Sequence, residues 1–513
     1  MVASFFGLYS SQKTLSTIQT TLNIISNNIA NANTPSYSRQ SVDLLTSSPY
    51  PQPMPGVCGL PGTFGTGTEI GSIKRIRDSF LDAQYRIENC TSSYYTEKQY
   101  AFDSAESIMN EPSDSGLLSK MSTFFESAQK LSQSPESLPA RTDFVLQASD
   151  LAVVFNQQSA SLQELRKNLV GEATDPNSLT QSRLGMGISS INSQLENLAN
   201  VNREIITLRG NGVEPNDLLD QRDKILDNLS TFMPLTVEES VVGTVDVSIG
   251  NNVLVSGSNL VNVLKADAGN INTPTIVALY SPDGTGPNVA NINSLITSGQ
   301  LGGILELGSN DPSKVTIKKL MDNLDTLAQS IATNVNNLQS QGRYIYSDPT
   351  AVPPIKELRS AAADYPTIFE SSNANPINAL NIRVTQNIID DPFRIAAAAN
   401  NAAIPNTALG DGSQALDIAQ LRDNTTLGPG NTTFSNFLSS NISILGVEAK
   451  SNNDKLESQD ALMKQVDLRR ESTSGVNIDE ELVDLIRFQR AFEASSRVMT
   501  TINEVLQVLI NKM

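Results

Sequence analysis

The chain has 513 residues, 39% of them hydrophobic, 5% aromatic and none tryptophan. That is length for roughly three domains and apolar content for a sizeable core. With 54 acidic against 36 basic residues the formal charge is −18, the wrong sign for nucleic acid or an anionic membrane surface, and the absence of histidine rules out Ser-His-Asp and Cys-His pairs and HExxH zinc helices.

The first stretch, MVASFFGLYSSQKTLS, has neither the apolar core of a cleavable signal nor the roughly 18 apolar residues of a membrane span; no membrane insertion and no general secretory export are expected. A helix pattern then dominates: Leu8, Leu15, Ile18, Leu22, Ile25 and Ile29 fall three and four apart, with Ser11 the polar exception. So narrow a stripe is a coiled-coil seam. It breaks at IANANTPSYSRQ, residues 29–40, where small polar residues give way to a Thr34-Pro35-Ser36-Tyr37 turn. Cys58 and Cys90 are too few for a disulfide framework and read as incidental small hydrophobes. Gly65, Gly67 and Gly71 lack dinucleotide-loop spacing and read as a loop or hairpin turn. Lys74, Arg75 and Arg77 read as a short basic run on a solvated face.

Further seams follow. Phe80, Ile87, Tyr94, Ala101 and Ile108 are sevens apart; Phe144, Ala148, Leu151, Phe155, Leu162, Leu165 and Leu169 form another. Leu184, Ile188, Ile191, Leu195, Leu198 and Ile205 form a third, with Asn202 in its gap, and Ile317, Leu320, Leu324, Leu327, Ile331 and Leu338 a fourth. Turn signals such as SPESLPAR and GNGVEPND separate the helices, and Asn216 or Asp217 is placed to cap LLDQRDKILDNL. Between them the period changes to two: Val245, Val247 and Ile249, a Gly250-Asn251-Asn252 turn, then Val253 and Val255 predict a β-hairpin. PTIVALYSPDG predicts another strand closing on a turn, since Asp283 lacks the companion carboxylates of a calcium loop. A second irregular block spans about 343 to 440. The last helix carries Asp479, Glu480 and Glu481 in its first turn, where negative charge favours the dipole, and then a seam of Phe488, Phe492, Ser495, Met499, Ile502, Leu506 and Leu509.

The expected fold is multidomain α+β. Residues 1–60 with 470–513 form a terminal α-helical coiled coil, 61–234 with 313–342 and 441–469 a helical-bundle core, and 235–312 pair with 343–440 in an inserted β-rich outer domain. No catalytic, cofactor-binding or metal-binding residues emerge, so an enzyme is not expected.

SNNIANANTPSYSRQ, residues 26–40, resembles the N-terminal signature of bacterial flagellar axial proteins, and SGVNIDEELVDLIRFQRAFEASSRVMTTINEVLQVL resembles their C-terminal one. The interior segments PNDLLDQRDKILDNLS, DDPFRIAAAANN and GTGTEIGSIKRIRDSFLDAQYR are similar to the hook–filament junction family within that superfamily. The resemblance implies a structural subunit on the distal end of the hook, required for filament assembly. It implies self-association in a helical or ring lattice, contact with the hook protein and the second junction protein, and a cytoplasmic export chaperone. It implies export through the flagellar type III apparatus to the extracellular flagellum. The subunit-interaction residues are then the Leu8–Ile29 seam, Asn31, Asn33, Pro35, Tyr37 and Arg39 of the turn, and Phe488, Phe492, Met499, Ile502, Leu506 and Leu509. The alternatives are another axial protein of hook or rod type, and a surface adhesin acting through the β-rich domain, with Tyr344 and Tyr346 first to test. Ser36 stands where the family usually has glycine; a type II turn would force it to positive φ, so either a type I turn or a local hydrogen bond is expected.

Overall fold

The computed structural model describes residues 2–48, 65–172, 174–269, 275–284, 289–348, 355–373, 375–401, 403–425 and 428–511. Cys58 lies outside them. The chain opens with α1 (Val2–Ala30) and an antiparallel hairpin of β1 (Gln40–Thr46) and β2 (Thr68–Arg75). Helices follow: α2 (Ser79–Met109), α3 (Leu117–Gln133), α4 (Leu138–Val170), α5 (Pro176–Gln181), α6 (Arg183–Gly210) and α7 (Asn216–Phe232). Next come β3 (Thr236–Glu239), β4 (Val245–Ile249), β5 (Asn252–Ser256), β6 (Asn259–Leu260), β7 (Val263–Ala268), β8 (Thr275–Tyr280) and β9 (Ala290–Asn291), then α8 (Gly299–Gly308) and α9 (Ile317–Gln341). The second irregular block holds β10 (Gly342–Asp348), β11 (Ile355–Ser360), α10 (Ala361–Asp364), β12 (Phe369–Ser371), β13 (Ile382–Val384), α11 (Gln386–Asp390), β14 (Ala398–Ala399) and α12 (Ser413–Gln420). Two long helices, α13 (Phe434–Ser474) and α14 (Ile478–Asn511), complete the α+β frame.

The seams of α4, α6 and α9 are buried together in one continuous core. Phe124 and Phe125 of α3 anchor it, with ring centroids 5.2 Å from Phe144, 5.9 Å from Phe369 and 6.0 Å from Phe434. The seam of α2 behaves differently. Ala101 is fully buried, but Phe80 and Ile87 are 71% and 65% exposed; the bonds to α8 lie further along the helix, from Tyr94 and Lys98 to Glu306.

The hairpin expected at Val245–Val255 is β4–β5, turning at Gly250 with φ 57°. The two β-containing stretches expected to pair with each other share no sheet. β3 to β6 form one, β7 to β9 another, and β10, β11 and β14 a third, with β12–β13 a separate hairpin. Each stretch packs instead on the helices, and side-chain amides make the junctions. Asn192 donates to the Leu264 carbonyl and accepts from its N–H, both at 2.8 Å. Asn336 accepts from the N–H groups of Ile368 and Phe369 and donates to the Phe369 carbonyl. Gln339 donates to the carbonyls of Tyr365 and Arg394 and accepts from the Ala396 N–H. Sheets this small leave many unpaired backbone groups, and amides carrying both donor and acceptor satisfy them.

Two local expectations are corrected, and the tyrosine pair named for the adhesin test is closed. The residue preceding α7 is Pro215, which makes no side-chain cap bond; Asn216 and Asp217, expected as its cap, are spent on tertiary bonds to the Ile73 carbonyl and from the Gln40 amide. Tyr344 is buried with its hydroxyl donated to Asp364, and Tyr346 lies 3.4 Å beneath the Arg359 guanidinium, so the pair offers no open aromatic platform. Gly71, in the supposed glycine loop, sits in β2 facing Leu45, which a Cβ would meet at 2.6 Å.

Asn202 shows how much one amide carries. It is fully buried, donates to the carbonyls of Val245 and Gly257 at 2.9 and 2.7 Å, and accepts from the Val245 N–H. Asn202→Leu strands all three backbone groups, and urea unfolding should show a loss of about 3 kcal/mol or more. Asn200→Ala, on the solvent side of the same helix, should leave the transition in place.

Candidate functional site

The ends of the chain meet. α1 and α14 pack along each other, and the expected seam residues lie between them to differing depth. Ile18, Ile25 and Leu506 are buried; Leu8, Leu15, Leu22, Ile29, Phe488, Phe492, Met499 and Ile502 are half-buried. The Leu509 side chain lies outside the described ones. A Cβ on Gly7 would meet Ile502 Cδ1 at 3.3 Å, so the helices approach closely there. The pair is thin by comparison with the body, whose seams have members with no exposed surface at all.

α1 ends at Ala30, five residues before the proline. Its last amides make short-range bonds instead: Asn31 N–H to the Asn27 and Asn28 carbonyls, Ala32 to Ile29, and Thr34 to Asn31. The chain is therefore turned out of the helix by a run of tight turns, and Pro35 shapes only the last of them. In that turn the Tyr37 N–H reaches the Thr34 carbonyl at 3.2 Å, with Ser36 at φ 67°. This is the positive φ of a type II turn, and among the described residues no hydrogen bond from the Ser36 hydroxyl offsets it. Asn31 bonds back to Asn27 through its amide, at 3.0 Å to the carbonyl and 2.9 Å to the side chain. Asn33 and Pro35 are exposed.

Beyond the turn a polar clasp joins both ends of the chain to the body. The Asn28 side chain donates to the Gln40 carbonyl and to Glu481, and accepts from the Gln40 N–H and the Tyr37 hydroxyl. Burial pushes the Tyr37 hydroxyl up to about 12, with Asp220, Asp217 and Glu481 adding to the effect. Arg39 spans the gap: Nε donates to Glu481 at 2.7 Å, Nη1 to Glu480 at 3.0 Å, and its N–H to the Ser474 carbonyl at 2.9 Å. The acidic first turn of α14 thus holds the partner strand as well as complementing the dipole.

The clasp rests on a buried ionic cluster that sequence reasoning missed. Lys74 is exposed, as a solvated basic run requires, but Arg75 and Arg77 are not. Asp220, Asp223 and Asp227, three and four apart on α7, receive them. Arg75 Nη1 bonds Asp220 at 2.7 Å and Asp223 at 3.0 Å, and Arg77 grips Asp82 through Nε and Nη2. Arg86 and Arg470 converge on Asp227 at 2.9 and 2.6 Å, while Ser38 donates its hydroxyl to Asp220 at 2.6 Å. Burial alone would raise the Asp223 carboxyl; Arg222, Arg77, Arg75 and Arg86 overcome it and hold it below the usual carboxylate range. The spacing D-x-x-D-x-x-x-D in LLDQRDKILD was the signal available, because it puts three carboxylates on one helical face.

No group of acidic, cysteine or histidine side chains able to hold a metal occurs among the described residues. The arrangement is one of positioned surfaces: two half-buried helices, and a clasp that fixes them to a rigid body.

Comparison with known proteins gives three family matches. Residues 102–350 match the flagellar hook-associated protein FlgK helical domain, residues 8–37 the flagella basal body rod protein family, and residues 470–512 the C-terminal region of the flagellar basal body rod FlgEFG proteins. Flagellar hook-associated protein 1 of Bacillus subtilis is 28% identical over all of this chain and 99% of its own length. Those of Salmonella typhimurium and Escherichia coli are each 25% identical, over 97% of this chain and 98% of theirs. The flagellar hook junction protein FlgK from Burkholderia pseudomallei superposes with a TM-score of 0.60 at 16% identity, over 76% of this chain and 100% of that one.

Ser36→Gly should relieve the turn. Removing a Cβ from a positive-φ site gains more than the added freedom of the unfolded chain costs, a net of about 0.5–1 kcal/mol. A fall in stability on urea titration would show that the Ser36 side chain makes a contact worth keeping.

Proposed function

We propose that the chain is a member of the flagellar hook-associated protein 1 family and that its paired terminal helices are the surface through which copies join the axial structure. Its role is structural, as a subunit of the bacterial flagellum at the junction between hook and filament. The observation that carries the proposal is the outer face of α14. Val483, Ile486, Val498, Val505 and Val508 are all more than half exposed, on a helix whose other face already lies on α1. A helix apolar on two sides is built to be buried on two sides, and neighbouring copies supply the second covering.

The domain division follows from the same reading: residues 1–60 with 470–513 are the assembling unit, and the remainder is the body that spaces and orients it. Asn31, Asn33 and Pro35 stand at the outer edge of the turn, where a neighbouring copy meets the hinge. Beneath and above the junction the partners are the hook protein and the second junction protein. Before export a cytoplasmic chaperone covers the open face of α14, and the route out is the flagellar type III apparatus. No described helix is long and apolar enough to cross a membrane. No catalysis is assigned to the chain. The hook or rod alternative accounts for the two terminal matches but not for residues 102–350, which match a helical domain of the hook-associated kind.

Ile502→Asp should abolish decoration of purified hooks while leaving the melting of the body intact, because a carboxylate pressed into the seam pays a desolvation cost of roughly several kcal/mol. Arg497→Asp, on an exposed position, should decorate far better. Equal decoration by both would place the interface elsewhere.

The terminal pair should also be the least protected part of a free monomer, since it buries few large side chains over many residues. In hydrogen exchange, amides of α1 and α14 should exchange fast and those from Leu184 to Ile205 slowly; assembly should slow the first set. Strong protection of both ends in a demonstrated monomer sinks the idea.

A further inference from the structure

The apolar residues of the two terminal seams leave their alignment open. On α1, Leu8, Leu15, Leu22 and Ile29 are sevens apart, and so are Ile18 and Ile25. On α14 the sevens are Phe488, Ser495 and Ile502, and again Phe492, Met499 and Leu506. A slide of one helix along the other by one heptad, about 10.5 Å, returns the apolar repeat of one helix to the apolar repeat of the other. Apolar burial is non-directional, so the seams favour pairing without favouring one register.

The pair nevertheless adopts a single alignment. A Cβ on Gly7 would meet Ile502, and the Asn28 amide donates to Glu481 at 3.1 Å. Gly7 to Asn28 and Glu481 to Ile502 are both steps of 21 residues, so the two contacts belong to one antiparallel register held over three heptads. Among the described residues the Asn28–Glu481 bond is the one hydrogen bond that joins α1 to α14. The other polar ties of α1 run to the hairpin, from Lys13 to Glu69 and from the Thr17 hydroxyl to the Thr68 carbonyl. Asn28 and Glu481 are almost completely buried. The four bonds of Asn28 use both of its amide N–H groups and both lone pairs of its oxygen, and Glu481 also accepts from Arg39 Nε.

We infer that Asn28 and Glu481 are positioning residues that set the axial register between the two terminal helices of one chain. A slide of one heptad puts Phe488 or Ser474 opposite Asn28 in place of Glu481. It leaves a buried amide and a buried carboxylate with bonds unmade, and both omissions are costly away from water. The penalty falls on every slipped register and spares the observed one. The seams thus supply the attraction and the polar pair makes the choice, as a single buried polar residue does among the apolar repeats of a coiled coil. The inference concerns pairing within one chain, so it stands or falls separately from the reading that copies join through these helices.

The test uses the full chain with Cys58→Ser and Cys90→Ala, as a dilute monomer under mild oxidation, with closure inside the chain read by peptide mass mapping. Three cysteine pairs report the register. Gly7→Cys with Ile502→Cys reads the observed alignment. Thr14→Cys with Ile502→Cys, and Gly7→Cys with Ser495→Cys, read slides of one heptad in either direction. With Asn28 and Glu481 in place the first pair should dominate. With Asn28→Leu and Glu481→Leu together the seam gains apolar surface and helicity should hold. At least one slipped pair should then close about tenfold more than before, the ratio expected from losing a bond to a charged group. Glu481→Gln, which keeps an acceptor for the Asn28 amide, should leave the first pair dominant. A purely structural role would move the melt and not the pair that closes. Slipped closure left unchanged by the double-leucine variant overturns the inference. So does failure of all three pairs in that variant, which makes the clasp a tether with no say in register, and so does equal closure of all three with Asn28 and Glu481 in place. Slipping in Glu481→Gln overturns it as well, by assigning register to the charge in place of the bond.

Discussion

Everything in this molecule hangs on the ionic cluster beside α7. Three aspartates on one helical face reach out to different elements: Asp220 to Ser38 and to Arg75 of β2, Asp223 to Arg75 and Arg222, and Asp227 to Arg86 of α2 and Arg470 of α13. Charges buried to this degree are tolerable only when each is answered, and removing one partner from such a set costs about 3–5 kcal/mol because a bare charge is left behind. The cluster therefore admits one relative arrangement of hairpin, α2, α7 and α13. The turn after α1 is fastened to it through Ser38, and α14 is fastened to the turn through Arg39. The direction in which the terminal helices leave the body is thus fixed by electrostatics several elements away.

The helices were legible because their apolar residues repeat. Leu184 to Ile205 and Ile317 to Ile331 read as seams and are buried as seams. What periodicity cannot report is where a seam runs out of partners, and Phe80 and Ile87 carry the same repeat as Ala101 yet stay largely exposed among the described residues. Polar contacts were legible least. KRIR is a basic run to the eye, and only the spacing of Asp220, Asp223 and Asp227, far along the chain, turns it into a buried cluster. The break after α1 was legible in IANANTPSYSRQ, and the backbone leaves the helix at Ala30, before Pro35. The blocks near 235–312 and 343–440 flank α9 in the chain, which suggested a common domain. Among the described residues their strands lie in separate sheets, and asparagine and glutamine side chains on the long helices bind each block separately. The clasp residues Asn28, Ser38 and Glu481 were missed because each looks ordinary alone.

Two kinds of cohesion divide the chain. The body is held by a continuous core and by buried amides and ion pairs. The terminal pair is held by two thin seams and one clasp, and shows apolar residues on its outer side. Fewer side chains are fully buried along the terminal pair than along the seams of the body, and local stability follows burial. On the function proposed above, such a division suits a subunit whose body keeps its shape while its terminal pair meets neighbours.

The clasp also counts. Asn28 and Glu481 are 453 positions apart, so the bond between them is closed by nearly the whole length of the chain. A polypeptide released early, anywhere before Ile478, can fold much of its body and still offer α1 no mate and Arg39 no carboxylates. It has nothing to dock with, whatever the quality of the rest. Completeness of synthesis is thereby written into the clasp itself, and on the function proposed above a growing structure built through the terminal pair selects finished subunits.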